Sequence, residues 1–267
     1  VKLKRCLSLV RASLLDSLQF RGALILTFVG NLFYLLLIYY LWKAIYASSE
    51  SDIINGMTFS DTMIYLVFAS ALFNFMEMWI VWGIGRNIQS GQIVVDLLKP
   101  IEFRSFVFFS GCGEPIIKFV TTFLPTAIIV YFISGRAIPL GKNLIFFTIS
   151  VALGMLINFY INFFVATICM YTQSIWGINI MKEVIVGLLS GASVPLAFFP
   201  ETLRNIVMYL PFQAICNSPL QILLHNEYPV SEVLVILGIQ LFWVLFLMIF
   251  TDLFFRISVR RITVNGG

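Results

Sequence analysis

Charge is scarce in this sequence of 267 residues: Asp, Glu, Lys and Arg together make up 11% of it, against about 25% in an ordinary water-soluble domain. That shortage excludes a water-soluble enzyme of the usual kind. Histidine is scarcer still, with His225 alone. The four cysteines, Cys6, Cys112, Cys169 and Cys216, stand singly and form no C-x-x-C pair. A zinc or iron–sulfur centre needs closely spaced thiolates and imidazoles, so no metal or cofactor site is expected and the cysteines read as small apolar fillers. Catalytic patterns are missing too: there is no G-x-S-x-G, no H-E-x-x-H and no acid paired with the histidine, so no catalytic residue is expected. The nearest nucleotide-loop lookalike runs from Gly135 through Gly141 and Lys142 to Asn143. It has one residue too many between its glycines and ends in Asn where Ser or Thr would reach a magnesium ion. If ATP drives this protein, the ATPase is another chain.

Apolar and aromatic residues are what the sequence has instead. Sixty per cent of it is hydrophobic, with 27 Phe, 10 Tyr and 5 Trp, and its mean hydropathy is +0.97. So many rings would leave large apolar patches on a particle dissolved in water, and a bilayer is the solvent that accommodates them. A span needs about 20 apolar residues to cross roughly 30 Å of hydrocarbon. Uncharged runs cover residues 22–42, 62–76 (continuing past Glu77 to 85), 119–135, 143–181, 184–200 and 233–251. The run 143–181 would make a helix of about 58 Å at 1.5 Å per residue, so it reads as two spans hinged at 171–177, where Thr172, Gln173 and Ser174 gather. A further run, 205–224, is broken by Pro211 and Pro219 and reads as two short helices that dip into the membrane or lie on it.

The fold expected is therefore an all-α integral membrane domain of six transmembrane helices over 1–267. An interfacial helix (1–21) precedes spans one and two (22–85), a cytosolic loop (86–104), spans three to five (105–200), an outer re-entrant or interfacial segment (201–232), and span six with its tail (233–267). With both termini in the cytoplasm, twelve basic residues fall inside and four, Lys43, Arg136, Lys142 and Arg204, fall outside. That is a strong positive-inside bias, and a seventh crossing would weaken it by moving Arg256, Arg260 and Arg261 out. The basic residues thus report orientation and not nucleic-acid binding. Leu3, Leu7, Val10, Leu14 and Leu18 recur at helical steps near the basic start. That pattern suits a helix lying on the inner leaflet in contact with lipid, or with a partner subunit, and does not read as a signal peptide.

Polar groups inside the spans are the functional leads, because an ionisable side chain in hydrocarbon costs about 2.5–3.5 kcal/mol on the insertion scale. Asn74 and Glu77 lie in span two; Glu77 is either a pathway-lining group or one half of an ion pair between spans. Glu114 and Lys118 have the spacing of a local helical pair. Asn158 and Asn162 share one face of span four and suit hydrogen bonding between helices. In the loop after span two, Ser90 and Gly91 begin a short helix. Ile93, Val94, Leu97 and Leu98 give it an apolar face beside Gln92 and Asp96, and Pro100 ends it. An ordered apolar knob is more than a reconnecting loop needs, so it reads either as a dock for a cytosolic protein or as a helix resting on lipid.

The stretch from Gln89-Ser90-Gly91-Gln92-Ile93 to Leu97-Leu98-Lys99-Pro100 resembles the coupling-helix region of type-2 ABC exporter permeases, in a compact six-span bacterial branch without a fused ATPase. Ser190-Gly191-Ala192-Ser193-Val194-Pro195-Leu196, Phe198-Phe199-Pro200, Leu203-Arg204 and Leu210-Pro211-Phe212 are similar to the outer re-entrant region of that branch, and Arg260-Arg261 before Gly266-Gly267 to its ending. The resemblance implies residence in the bacterial cytoplasmic membrane and two permeases, identical or related, among membrane lipids. It also implies two cytosolic ABC ATPase subunits that carry the ATP and Mg, with residues 88–100 as their contact. Spans one, two and five would surround the path, with Pro195, Phe199, Pro200 and Pro211 near its outer gate. Gln92 stands where this branch often has Glu. The function implied is export of an amphipathic, lipid-like or drug-like solute by alternating access. The rival expectation is a scaffold or assembly subunit that transports nothing and recruits a cytosolic protein.

Overall fold

The computed structural model describes residues 2–19, 21–128, 143–172, 174–224 and 229–260. The outer end of the expected third span beyond 128, the Gly135 to Lys142 loop with Arg136, His225, Arg261 and the terminal glycines lie outside the described residues. Those described form an all-α membrane protein. Five helical segments are long and apolar enough to cross a bilayer, and a sixth arises if a pair of helices bent by 97° counts as one.

Helix α1 (Lys2–Gln19) and helix α2 (Arg21–Ala47) lead to a small hairpin, β1 (Ile53–Ile54) and β2 (Met57–Thr58). Asn55 and Gly56 make its turn at φ +49° and +81°, the left-handed pair that a two-residue hairpin prefers. Thr58 then caps α3 (Phe59–Met76): its hydroxyl accepts from the Asp61 amide, and the Asp61 carboxylate accepts from the Thr58 amide. This reciprocal arrangement satisfies two helix-end donors. The Tyr46 hydroxyl meets the Met57 carbonyl and the Thr62 hydroxyl, each at 2.8 Å, and so ties the end of α2 to the start of α3.

Next come α4 (Ile80–Gln89), α5 (Ile93–Leu97), α6 (Phe103–Gly111) and α7 (Gly113–Lys118), the last continuing through a π-helical turn at Phe119–Phe123 to Ile128. The third span thus begins at Phe103, well before the uncharged run at 119. It carries Glu114 and Lys118 inside it because the two pair at 2.9 Å. Its irregular middle has a local cause, since Pro115 offers no amide to the preceding turn.

Helix α8 (Asn143–Thr172) is the hub: α12, α11, α4, α9 and α3 all pack on it. The expected hinge appears between its end and α9 (Trp176–Leu189). The expected fifth span is not one of the five crossing segments among the described residues, and the possible sixth is instead the bent pair that the sequence reads as the outer segment. Helix α9 has 14 residues, about 21 Å, and stops at Ser190 where Gly191 takes φ +81°. A 3₁₀ turn at Leu196–Phe198 leads to α10 (Glu201–Met208) and α11 (Gln213–Leu224), the bent pair at the position expected for the outer segment. The final helix, α12 (Val230–Val259), is unbroken.

Pro219 sits inside α11. It leaves the Ile215 carbonyl without its usual amide, and that oxygen lies where a Cβ on Gly154 of α8 would be 2.9 Å away. The neighbouring Ala214 carbonyl accepts from Gln240 Nε2 of α12 at 2.7 Å, while Gln240 Oε1 accepts from Ser150 Oγ at 2.8 Å. A helix that proline weakens is thus seated by one glycine and one glutamine.

Candidate functional site

Four places gather the polar groups, beginning with the short helix after span two. Gly91, at φ +74°, turns the chain after α4, and Ser90 Oγ accepts from the Gln92 amide at 3.4 Å. Asp96 is buried within α5, where it accepts from Asn87 Nδ2 of α4 at 2.7 Å and from Lys99 Nζ at 2.8 Å. Lys99 also sits 3.9 Å above the Phe106 ring of α6. These contacts bind α5 to the helices on both sides, so a force on it reaches α4 and α6. The apolar face expected here splits: Ile93 is buried in the core, Val94 and Leu97 are half-buried, and Leu98 is 80% exposed with Val95 beside it at 53%. The apolar surface open to a partner is therefore Val95 and Leu98, because α5 turns the Ile93 side inward to place Asp96 against Asn87. Gln92 and Pro100 are exposed at its ends.

The second place is a break in span two. Helix α3 ends at Met76, Glu77 is extended at φ −71°, ψ 128°, and α4 starts at Ile80. Carbonyls freed by such a break need donors, since hydrocarbon supplies none. Asn158 Nδ2 of α8 donates to the Met76 carbonyl at 2.9 Å, and Lys118 Nζ donates to the Glu77 carbonyl at 3.4 Å. Asn162 Nδ2 donates to the Asn158 carbonyl at 2.8 Å, and Lys182 Nζ donates to Asn162 Oδ1 at 3.0 Å. Asn179 donates to Glu183, and Glu77 lies within electrostatic reach of Lys118, Lys182, Glu183 and Glu114. The structure therefore joins Glu77, Asn158 and Asn162, which the sequence offered separately, and adds Lys182. Lys182, which stands between the uncharged runs 143–181 and 184–200, is buried between helices, where an amide oxygen and nearby carboxylates hold it.

A third place is a cleft of about 380 Å³ between α2, α3 and the chain that follows α9. Thr27, Asn31 and Tyr34 of α2 face Ser70 and Asn74 of α3, with Ser193 beyond. Asn74 Nδ2 donates to Asn31 Oδ1 at 3.2 Å, and the Tyr34 hydroxyl is hydrogen-bonded to Ser193. Asn74 thus belongs to this cleft and not with Glu77. Sequence reasoning missed Asn31, although it is the one amide in the uncharged run 22–42.

The fourth place is the bent pair α10 and α11 with the turn before it. Pro195 is buried ahead of the 3₁₀ turn, whereas Phe199 and Pro200 line a hollow of about 400 Å³ with Asn55, Glu201 and Arg204. Pro211 is buried in the turn between α10 and α11. Trp42 of α2 meets Phe198 edge-on at 4.5 Å, and the Asn217 amide donates to the Ser190 carbonyl at 3.1 Å. The segment is thereby fastened to span one on one side and to the end of α9 on the other. Tyr65 Oη bonds Asn217 Oδ1 at 3.4 Å and occupies the space a side chain at Gly191 would need.

Residues 32–266 match the family model of the ABC-2 family transporter proteins, and the chain belongs to that family. It is accordingly a multi-pass membrane transport component, of a kind that works with ABC ATPase subunits. No curated protein matches the chain.

Proposed function

We propose that this ABC-2 family member is the permease subunit of an ATP-driven exporter in a bacterial cytoplasmic membrane. It moves an amphipathic, lipid-like or drug-like solute outward by alternating access. Separate ATPase subunits hold the ATP and Mg and dock on α5 in the cytoplasm, and a second permease, identical or related, completes the unit. The observation that carries this reading is the mechanical continuity from α5 to the break in span two. Asp96 locks α5 to Asn87 of α4, and α4 begins just past the helix break at Glu77. Closure of the ATPases presses on Val95 and Leu98; α5 and α4 move together, and the break lets them turn relative to α3. ATP shifts the balance between the two arrangements only by binding one more tightly than the other. The polar network at the break, Glu77 with Lys118, Asn158 and Asn162, holds the two halves in register. Pro195, Phe199, Pro200 and Pro211 shape the outer gate.

The test is reconstitution of the chain with its ATPase in proteoliposomes. Leu98→Glu places a charge at the most exposed apolar point of the dock, and the expected outcome is a fall of roughly tenfold or more in permease-dependent ATP hydrolysis, equivalent to about 1.4 kcal/mol. Unchanged stimulation would remove α5 as the dock. Tight ATPase recruitment with hydrolysis indifferent to the permease would favour the scaffold.

A further inference from the structure

A second cavity, of about 400 Å³, lies beside α5 and is separate from the cleft between α2 and α3. Its walls come from α1, α4, α5, α6 and α7, and none of the described lining belongs to α2 or to the chain after α9. Helix α1 is seated against the third span there. A Cβ on Gly113 of α7 would stand 2.4 Å from the Leu14 amide nitrogen and 2.5 Å from the Ser13 hydroxyl, so the glycine lets the two helices touch. Seated in this way, α1 turns Ser13, Asp16 and Ser17 to the cavity and leaves Leu7, Leu15 and Leu18 exposed on its opposite face.

The walls favour one sign of charge. Three carboxylates line the cavity, those of Asp16, Asp96 and Glu114, and no lysine, arginine or histidine does. Lys99 answers Asp96 at 2.8 Å and Lys118 answers Glu114 at 2.9 Å, whereas the exposed Asp16 carboxylate meets no cation among the described residues. The three do not converge on a metal ion, so the cation that fits is an organic one. Aromatic rings stand beside them. Phe106 holds the Lys99 ammonium 3.9 Å from its ring centre, and Trp82, 6.4 Å from the Trp79 ring, holds the Arg86 guanidinium at 5.9 Å. Trp79 lines the cavity, is 57% exposed and has no such cation among the described residues. A free indole face attracts a cation that has shed part of its water. Ile80, Ile84, Phe103 and Val107 supply apolar wall for the rest of the molecule, and the volume lies within the range of small-ligand pockets. A phosphate there would face carboxylates with no cation in the lining, and like charges repel.

We propose that this cavity is a loading site for organic cations that carry an apolar group and no phosphate, held by the Asp16 carboxylate and the Trp79 ring. Its role in loading rests on the permease reading; the binding does not. Asn87 and Asp96, which tie α4 to α5, form part of the same wall, so an occupant touches the piece on which the ATPases press.

The experiment uses the full chain in phosphatidylcholine nanodiscs with radiolabelled tetraphenylphosphonium, and with tetraphenylborate as the anion of the same shape. The phosphonium binds saturably at one per chain, and the borate does not. Asp16→Asn weakens binding about tenfold or more, through loss of a nearby charge in partly wet surroundings. Trp79→Ala weakens it about fivefold. Gly83→Leu fills the cavity from α4 and abolishes binding. It guards against a folding artefact, since a Cβ at Gly83 meets no atom within 4 Å and the change removes a helix-weakening glycine. In the complex reconstituted with its ATPase, the phosphonium raises ATP hydrolysis, and Asp16→Asn removes that increase without changing the basal rate.

Absence of saturable phosphonium binding would overturn the proposal, as would equal binding of the borate or binding that neither Asp16→Asn nor Trp79→Ala weakens. Loss of binding on adding phosphatidylethanolamine to the nanodiscs would give the cavity to a lipid headgroup and overturn the phosphate-free assignment. The nanodisc measurements need no ATPase, so their failure leaves the coupling experiment on Leu98 standing. Binding that depends on Asp16 while ATP hydrolysis stays at its basal rate would overturn the role in loading.

Discussion

The second and last spans are almost equal in length, 31 residues for Phe59–Gln89 and 30 for Val230–Val259, yet their mean hydropathies are 1.7 and 2.8 and the buried shares of their most apolar windows are 61% and 28%. The less hydrophobic helix is the more buried one. In water that order would be reversed; in a bilayer the lipid-facing helix has to be uniformly apolar, while a helix enclosed by protein can carry amides and acids that its neighbours satisfy. The last span keeps its charges, Glu232, Asp252 and Arg256, near its ends. Its Gln240 is wholly buried and bonded to Ser150 and Ala214. The second span is interrupted by Glu77 and depends on side chains from the third and fourth. In this pair the lower hydropathy goes with the interrupted helix and the higher with the unbroken one.

Four substitutions test that contrast. Lys118→Leu should be the most damaging: it removes the partner of Glu114 and the donor to the Glu77 carbonyl. Breaking a buried pair costs about 3–5 kcal/mol, and the partial exposure of Glu114 puts this case near the lower figure. Denaturant titration of the purified protein in detergent should show it, and a loss under 1 kcal/mol would mean that the break needs no such support. Asn158→Leu leaves the Met76 carbonyl bare and should cost roughly 1–3 kcal/mol in the same titration. Gln240→Leu, in the intact helix, should cost about 1–2 kcal/mol as a typical contact between membrane helices. If it proves more harmful than Asn158→Leu, the contrast between the two spans fails. Arg256→Ala is expected to change stability by less than about 0.5 kcal/mol, since Arg256 is largely exposed where it meets Asp252 at 2.9 Å.

Much of this architecture could be read from the residues. Uncharged runs located the first, second, fourth and last spans because burial in lipid is decided locally, residue by residue, whereas the run at 119 missed the start of the third span at Phe103 and the run 184–200 matches no crossing helix; Thr172 to Ser174 disclosed the hinge. Pro211 and Pro219 indicated a bent outer pair, and the chain bends there by 97°. The break at Glu77 could not be read, because neither proline nor glycine marks it. Its donors come from Lys118 and Asn158, 41 and 82 residues away in the chain. Likewise, Ile93 turns into the core and leaves Leu98 outside because Asp96 must reach Asn87, an interaction that apolar spacing alone does not contain. The cleft was half legible: Asn74 was noticed, but its partner Asn31 stood out only once α2 was laid beside α3.

Gly154 has a consequence of another kind. Two helices, α8 and α11, meet at this one position, where the carbonyl that Pro219 sets free lies closer than any methyl group would allow. A side chain there would lift α11 and draw Ala214 away from Gln240. Over evolutionary time, residues 154, 219 and 240 should drift together or not at all, like tumblers cut for a single key.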